Sequence, residues 1–408
     1  MTTFVTILFC LTYLGMAAGR VPGSRIDRSG IAMIAAVVLV ATGALSNGEI
    51  LGSIHFPTLL LLAGLMVLSA RVRASGLYDA LALWIARSAG RPLPLLAMTI
   101  AITGLLSAFL VNDVVVFAMT PLLCSGLAAR NLDPRPYLFG MAAASNAGSA
   151  ATLIGNPQNI LIGQIGGLDF WKYLGFAAVP ALAAHVISFA CIAFVWRRSL
   201  EQVPDDAIME PRTVDRQEIA VSCGGLVVLL VLFATPLPRE ISALLVAACL
   251  VVSRKIPSRQ FLDEIDLPLI ILFASLFIVI GAFTATGLPQ VGMNWLAEAN
   301  LLPETAPLLA LFSLAASNTI GNVPAVVLLL QIWQDIPPNV LTGLAILSTL
   351  AGNLLLVGSL ANLIVAERAQ AFGVELSFRD HARAGVPATL ASLAVACLWL
   401  VGLGYLPV

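Results

Sequence analysis

The sequence predicts an all-α membrane protein, an inverted repeat of five transmembrane helices plus one re-entrant hairpin in each half, with broken helices at its centre. Three observations predict it. Of 408 residues, 59% are hydrophobic and 11% charged, and the mean hydropathy is +0.97; soluble domains carry roughly a quarter charged residues and lack apolar runs able to cross about 30 Å of hydrocarbon. The two halves of the chain can be laid on one another. Finally, polar stretches bearing glycine and proline interrupt runs where lipid would demand regular helix, and such breaks survive only inside protein or beside a water-filled cavity.

Taken in order, the apolar runs place spans at 3–20, 30–47, 57–72, 138–162, 173–196, 218–235, 239–253, 267–285, 340–366 and 385–404. The first has no basic residue ahead of it, and its basic cluster, Arg20 to Arg28, follows it, so it reads as a permanent span rather than a signal peptide. Two further stretches, 93–129 and 305–333, double back around a short polar tip. A charged, water-exposed linker at 201–217 separates a first repeat at 1–200 from a second at 218–408.

The repeat is legible residue by residue. Pro57 meets Pro268 and Gly76-Leu77 meets Gly287-Leu288 at an offset of 211; Asn112 meets Asn322 at 210; Ser145, Gly155 and Asn159 meet Ser348, Gly358 and Asn362 at 203. Several matches in one order mark an internal repeat. Five spans, an odd number, invert the second copy, and inverted repeats place a transporter's site near the midplane where they meet. With the 21–29 loop cytoplasmic, only Lys172 and Arg239 fall outside, leaving 19 of the 21 Lys and Arg inside. Both termini are then periplasmic, in a bacterial inner membrane.

Composition also excludes. A net charge of −1 without a Lys/Arg cluster gives no nucleic-acid partner. The six scattered cysteines suggest neither disulfides nor zinc, and only Cys124 falls near the polar breaks. His55, His185 and His381 stand far apart near span ends and read as interfacial residues; Arg71, Arg73 and Asp79 read as surface anchors. No paired nucleophile and base, and no metal-ligand cluster, supports an enzyme.

The polar breaks carry the chemistry. At the first hairpin tip Asn112 and Asp113 interrupt an apolar run, and Asp113 is the one carboxylate deep within a predicted span. A carboxylate there is costly to ionise, which suits a group that takes and releases a proton. The first broken span, Ser145 to Asn159, offers Asn146, Ser149, Thr152, Asn156 and Asn159, with Gly148, Gly155 and Pro157 freeing backbone groups. Its echo in the second half comprises Ser317, Asn318 and Asn322 at the hairpin tip and Asn353, Ser359 and Asn362 in the broken span, with Val323 where the acid stood. Either Asn318 or Asn322 can be the tip ligand. No basic residue stands near these motifs, which speaks against a dianion held by arginine.

Val111-Asn112-Asp113, Thr120-Pro121, GSAATLIGNPQN and GSLANLI together resemble the ion transporter superfamily, and within it the arsenite/antimonite permease branch. The resemblance spans nearly the whole chain. It implies an elevator-like fold and proton-coupled efflux of arsenite or antimonite without a cofactor. Asp113 then carries the proton, and the residues named above hold a small uncharged trihydroxy solute by hydrogen bonds. Anion permeases of undefined substrate carry very similar runs. A cation-coupled anion permease, dicarboxylate-like or inorganic, or a Na+/H+ antiporter with sodium as coupling ion, is therefore the alternative. A homodimer and an accessory ATPase follow only by analogy with relatives. The remaining contact is with membrane lipid.

Overall fold

The computed structural model describes residues 1–19, 26–88, 91–201, 215–253, 255–333 and 335–408. Most of the linker expected at 201–217 therefore lies outside the described residues, as do Arg20 and Arg25. The described residues form helices and no strand.

The first half runs α1 (Thr2–Ala18), α2 (Arg28–Ala41), the short α3 (Asn47–Ser53), α4 (Phe56–Ala74), α5 (Leu77–Ser88), α6 (Pro92–Phe109), α7 (Asn112–Ala128), α8 (Arg135–Ala150), α9 (Pro157–Ile165) and α10 (Phe170–Val195). The second runs α11 (Arg216–Leu232), α12 (Arg239–Val251), α13 (Ser258–Leu262), α14 (Leu267–Thr284), α15 (Leu288–Glu298), α16 (Ala306–Thr319), α17 (Asn322–Ile332), α18 (Pro338–Ala351), α19 (Leu360–Gln370) and α20 (Phe378–Gly402). The helices correspond one to one. Those opening at Arg28, Asn47, Phe56 and Leu77 recur at Arg239, Ser258, Leu267 and Leu288, each 211 residues on. Small helices α3, α5, α13 and α15 are absent from the sequence reading, which seeks long apolar runs.

Local chemistry sets the helix ends. Asp27, Ser46, Asp169, Asp266, Thr305 and Ser377 each cap a helix by accepting an amide of its first turn. Proline opens α4, α6, α8, α9, α14, α16 and α18, where its missing N–H costs nothing. The first hairpin turns at Leu110 and Val111, both extended. The second turns at Gly321, whose φ of +95° is open to glycine and strained for other residues.

Among the described residues five helices, α4, α6, α10, α14 and α20, are long and apolar enough to cross a membrane. On α10, Leu182, Val186 and Phe194 are 65%, 68% and 75% exposed, a stripe suited to lipid. Small residues let the central helices close up. Gly140, Ala144 and Gly148 recur every four residues along α8, and a Cβ on Gly148 would stand 2.1 Å from the carbonyl oxygen of Gly104 on α6.

Residues expected at the surface lie elsewhere, among them His381, which is buried with its Nε2 3.0 Å from Asn353 O. Arg71 is buried and pairs with Glu218 of α11 at 2.5 Å while donating to Leu250 O of α12 at 2.7 Å. His185 is mid-helix in α10, its ring against Gly104 and its Nδ1 2.7 Å from Ala181 O. None of these positions is visible without the partner helices.

Candidate functional site

Both predicted spans that carry polar residues are broken. Between α8 and α9 the chain turns through 151–156, and between α18 and α19 through 352–359. One residue type closes both breaks in the same way. Asn159 donates from Nδ2 to Ser149 O at 3.2 Å and Thr152 O at 2.9 Å; Asn362 donates to Gly352 O at 3.0 Å and Leu355 O at 3.3 Å. The acceptors lie ten and seven residues back in each case, so a single amide takes up two carbonyls freed by the break.

The breaks then interlock. Asn146 of the first half donates to Asn353 Oδ1 at 2.7 Å and Asn362 Oδ1 at 3.2 Å, and accepts from Ser359 Oγ at 2.9 Å. Thr349, its equivalent at an offset of 203, reaches the other way: it donates to Asn159 Oδ1 at 3.1 Å and accepts from Asn156 at 3.2 Å and Gln158 at 3.4 Å. The paired contacts fasten the halves through their polar centres.

Beside this knot lies a cavity of about 540 Å3. Asn112, Asp113, Asn146, Asn156, Asn318, Asn322 and Ser359 form part of its wall. The N-termini of α7, α9, α17 and α19 all converge on it. Each helix start presents unpaired N–H groups and a partial positive charge of about half an elementary charge. The cavity thus receives partial positive charge from four helix starts.

The remaining predicted residues stand behind the wall. Ser149, Thr152, Asn159, Ser317, Asn353 and Asn362 are bonded to backbone or to one another: Thr152 donates to Ala108 O, Ser317 to Ser348 O at 3.3 Å, and Asn353 to Ala143 O at 3.1 Å. They hold the breaks open rather than face the cavity.

The hairpin tips divide their asparagines similarly. Asn318 donates to Leu314 O and Ala351 O, both at 3.0 Å, and accepts from Leu355 N at 3.3 Å, which stitches the second hairpin to the second break. Asn322 and its equivalent Asn112 are 7% and 3% exposed, and in each Oδ1 has no partner. The two unpaired oxygens occur at equivalent places on the two hairpins. A buried unpaired acceptor is costly unless a ligand or water completes it.

Several residues here were not read from the sequence. Thr349 belongs to the knot and Gln158 to both knot and wall; Asp266, which caps α14, and Arg28, which opens α2, line the same cavity. Arg28 corrects the expectation that no basic residue stands near the motifs: it comes from 84 residues before Asn112 and is brought there by packing. Asp266 likewise ends the solitude of Asp113. Cys124 is not on the wall; three turns of α7 set it about 18 Å from the hairpin tip at 1.5 Å per residue. Among the described residues no group of three His, Cys, Asp or Glu could hold a metal.

Comparisons with known proteins agree on class. The chain is 32% identical to the inner membrane protein YbiR of Escherichia coli K12, over 78% of this chain and 81% of that one. It is 27% identical to a 46 kDa membrane protein of Mycobacterium leprae, over 98% of each, and 27% identical to the silicon efflux transporter LSI3 of Oryza sativa subsp. japonica, over 92% of each. Its fold is like that of the YdaH transporter of Alcanivorax borkumensis, with a TM-score of 0.59, 16% identity and full coverage of both chains. These relatives are transporters or membrane proteins, and the chain is a membrane transporter rather than an enzyme. A family model described as citrate transporter, CitMHS, matches residues 14–340, and the chain belongs to that family.

Proposed function

We propose that the chain is a secondary transporter of the inner membrane that expels arsenite or antimonite in exchange for protons. The observation that carries this reading is the cavity wall: two equivalent asparagine oxygens without partners, helix starts from four directions, and a single hairpin-tip carboxyl. Arsenite at neutral pH is a small trihydroxy species. Its hydroxyls can donate to Asn112 and Asn322, and its oxygens can accept from helix N–H groups. The rice relative is named for efflux of silicon, another metalloid. In this reading the two corresponding halves run inverted through the membrane, ten spans and two re-entrant hairpins, with both termini periplasmic. Hairpins and broken helices move together against the remaining helices, alternating access to the site. Asp113, without an equivalent acid at Val323, carries one proton per cycle.

A second reading has its own support. Arg28 on the wall and four converging helix starts also suit an anion, and the family's description names citrate. A cation-coupled anion permease would use them for a carboxylate.

A thermal-shift titration of purified protein with arsenite, antimonite, sodium and citrate at two pH values separates the readings, because ligand binding to the native state raises apparent stability. A saturable shift with arsenite or antimonite, lost in Asn112→Ala, is expected. A shift with citrate alone would move the assignment to the second reading. In proteoliposomes Asp113→Asn is expected to abolish uphill efflux, and wild-type uphill efflux in that variant would remove the proton role.

A further inference from the structure

Arg28 and Arg239 occupy equivalent places, each opening the second helix of its half, 211 residues apart. Their surroundings differ. Arg28 lines the open cavity, donates from Nε to Met16 O at 3.1 Å, and brings Nη1 to 3.3 Å from where a Cβ on Gly321 would stand, at the second hairpin tip. Arg239 instead donates from Nη2 to Gly163 O at 2.6 Å, near the end of α9, beside a Gln164–Glu240 hydrogen bond of 3.2 Å.

In an alternating-access carrier made of two equivalent halves, the opposite conformation is reached when the halves exchange environments. A contact made now by one half then predicts a contact made later by the other. The offset of 210 that carries Asn112 to Asn322 carries Val111 to Gly321 and Asp113 to Val323. Arg28 now faces Gly321 and shares the cavity with Val323. After the exchange Arg239 leaves Gly163 and faces Val111, with Asp113 two residues on. Resting on the proton-coupled carrier reading above, we propose that Arg239 pairs with ionised Asp113 in the opposite conformation and holds the emptied carrier there until a proton from that side neutralises Asp113.

The chemistry is a single proton transfer from outer water to the Asp113 carboxylate, after which the ion pair no longer holds. Such a lock is what exchange requires, because a carrier that returns without its proton leaks. Among the described residues no basic side chain pairs with Asp113 in the present conformation. Charged groups sharing its cavity are Asp27, Arg28 and Asp266. One turn along α7, Arg73 and Arg368 stack on Phe117, with Glu264 paired to Arg73 and Glu367 beside Arg368. On the other side, Glu240 and Asp169 lie in the field of Arg239, and His55 in that of Glu240. Arg239 is also one of only two basic residues that the charge bias puts outside, so it has few competitors there as a partner for the carboxyl.

Two experiments test this, and the first needs no solute. In a chain whose native cysteines are serine, Val111→Cys and Arg239→Cys are treated in membrane vesicles with a short bis-methanethiosulfonate, whose two sulfinate leaving groups are displaced by the two thiols. A 111–239 crosslink is expected, although in the present conformation Arg239 donates to Gly163 O and Val111 N to Ser69 Oγ. A variant that unfolds at the wild-type temperature yet never crosslinks overturns the proposal, whatever the solute proves to be. The second experiment follows arsenite efflux from proteoliposomes as the outer pH is raised. Wild type slows as protons become scarce, whereas Arg239→Gln keeps its downhill rate and loses both the pH dependence and uphill efflux. Arg239→Lys restores both. A glutamine variant with the wild-type pH profile overturns the lock, since a merely structural role at Gly163 would change the rate and leave the profile in place.

Discussion

Replacing Glu218 by glutamine isolates the buried ion pair that ties three helices of the protein together. Arg71 of α4 is 3% exposed at its side chain and Glu218 of α11 is 10% exposed. The guanidinium also donates to Leu250 O at the end of α12, while Ser222 of α11 donates back to Arg71 O at 3.4 Å. Taking the charge from Glu218 leaves a buried guanidinium with two neutral acceptors, Leu250 O and the glutamine amide oxygen, and no counter-charge. Breaking a buried pair in this way costs about 3–5 kcal/mol. At about 1.4 kcal/mol per tenfold, that lowers the folded-to-unfolded ratio roughly 100- to 5,000-fold. The double variant Arg71→Met with Glu218→Leu removes both charges and their desolvation together, and should recover most of the loss. The assay is thermal unfolding in detergent, with the half-life of monodisperse protein at fixed temperature as the kinetic measure. If Glu218→Gln is as stable as wild type, the pair is solvated and the reasoning fails; if the double variant is as unstable as the single, packing rather than charge explains the effect.

Two more predictions follow from the central helices. Gly148→Ala should destabilise by more than the usual 1–3 kcal/mol of an overpacked core, because its Cβ would meet the Gly104 carbonyl, which is backbone on a tightly packed helix; Gly48→Ala, with nothing within 4 Å, should unfold like wild type, and equal losses in thermal unfolding would refute the close-approach account. Asn159→Leu and Asn362→Leu should cost similar amounts, about 1–3 kcal/mol for each of the two carbonyls left without a donor; a large effect in one and none in the other, in the same melting assay, would show that the two breaks are not held alike.

Much of the architecture was legible in the chain because its causes are local. Apolar run length marks the spans, proline and capping residues fix helix starts, and glycine with polar residues marks the breaks. The correspondence of Asn112 with Asn322 and of Asn159 with Asn362 could be read from spacing alone, since equivalent turns need equivalent residues. Sequence also selected seven of the polar residues on the cavity wall together with six that stand behind it. It could not separate the groups, because an asparagine that holds a break and one that faces a ligand have the same local surroundings. Thr349 shows the limit plainly: within its own span it is one threonine in an apolar helix, and only the approach of Asn156, Gln158 and Asn159 makes it part of the knot.

By itself, then, the sequence determined the membrane class, the doubled order of elements and the places where helices break, all of which depend on residues near one another in the chain. The tertiary structure alone decided that Arg28 and Asp266 share a cavity with Asp113, that Asn322 rather than Asn318 leaves an oxygen unpaired, and that Arg71 is buried against Glu218. Those outcomes depend on which distant helices touch. Contact between segments far apart in sequence is set by the packing of whole faces, where a glycine on one helix admits the backbone of another, and such complementarity leaves no periodic trace in either segment alone.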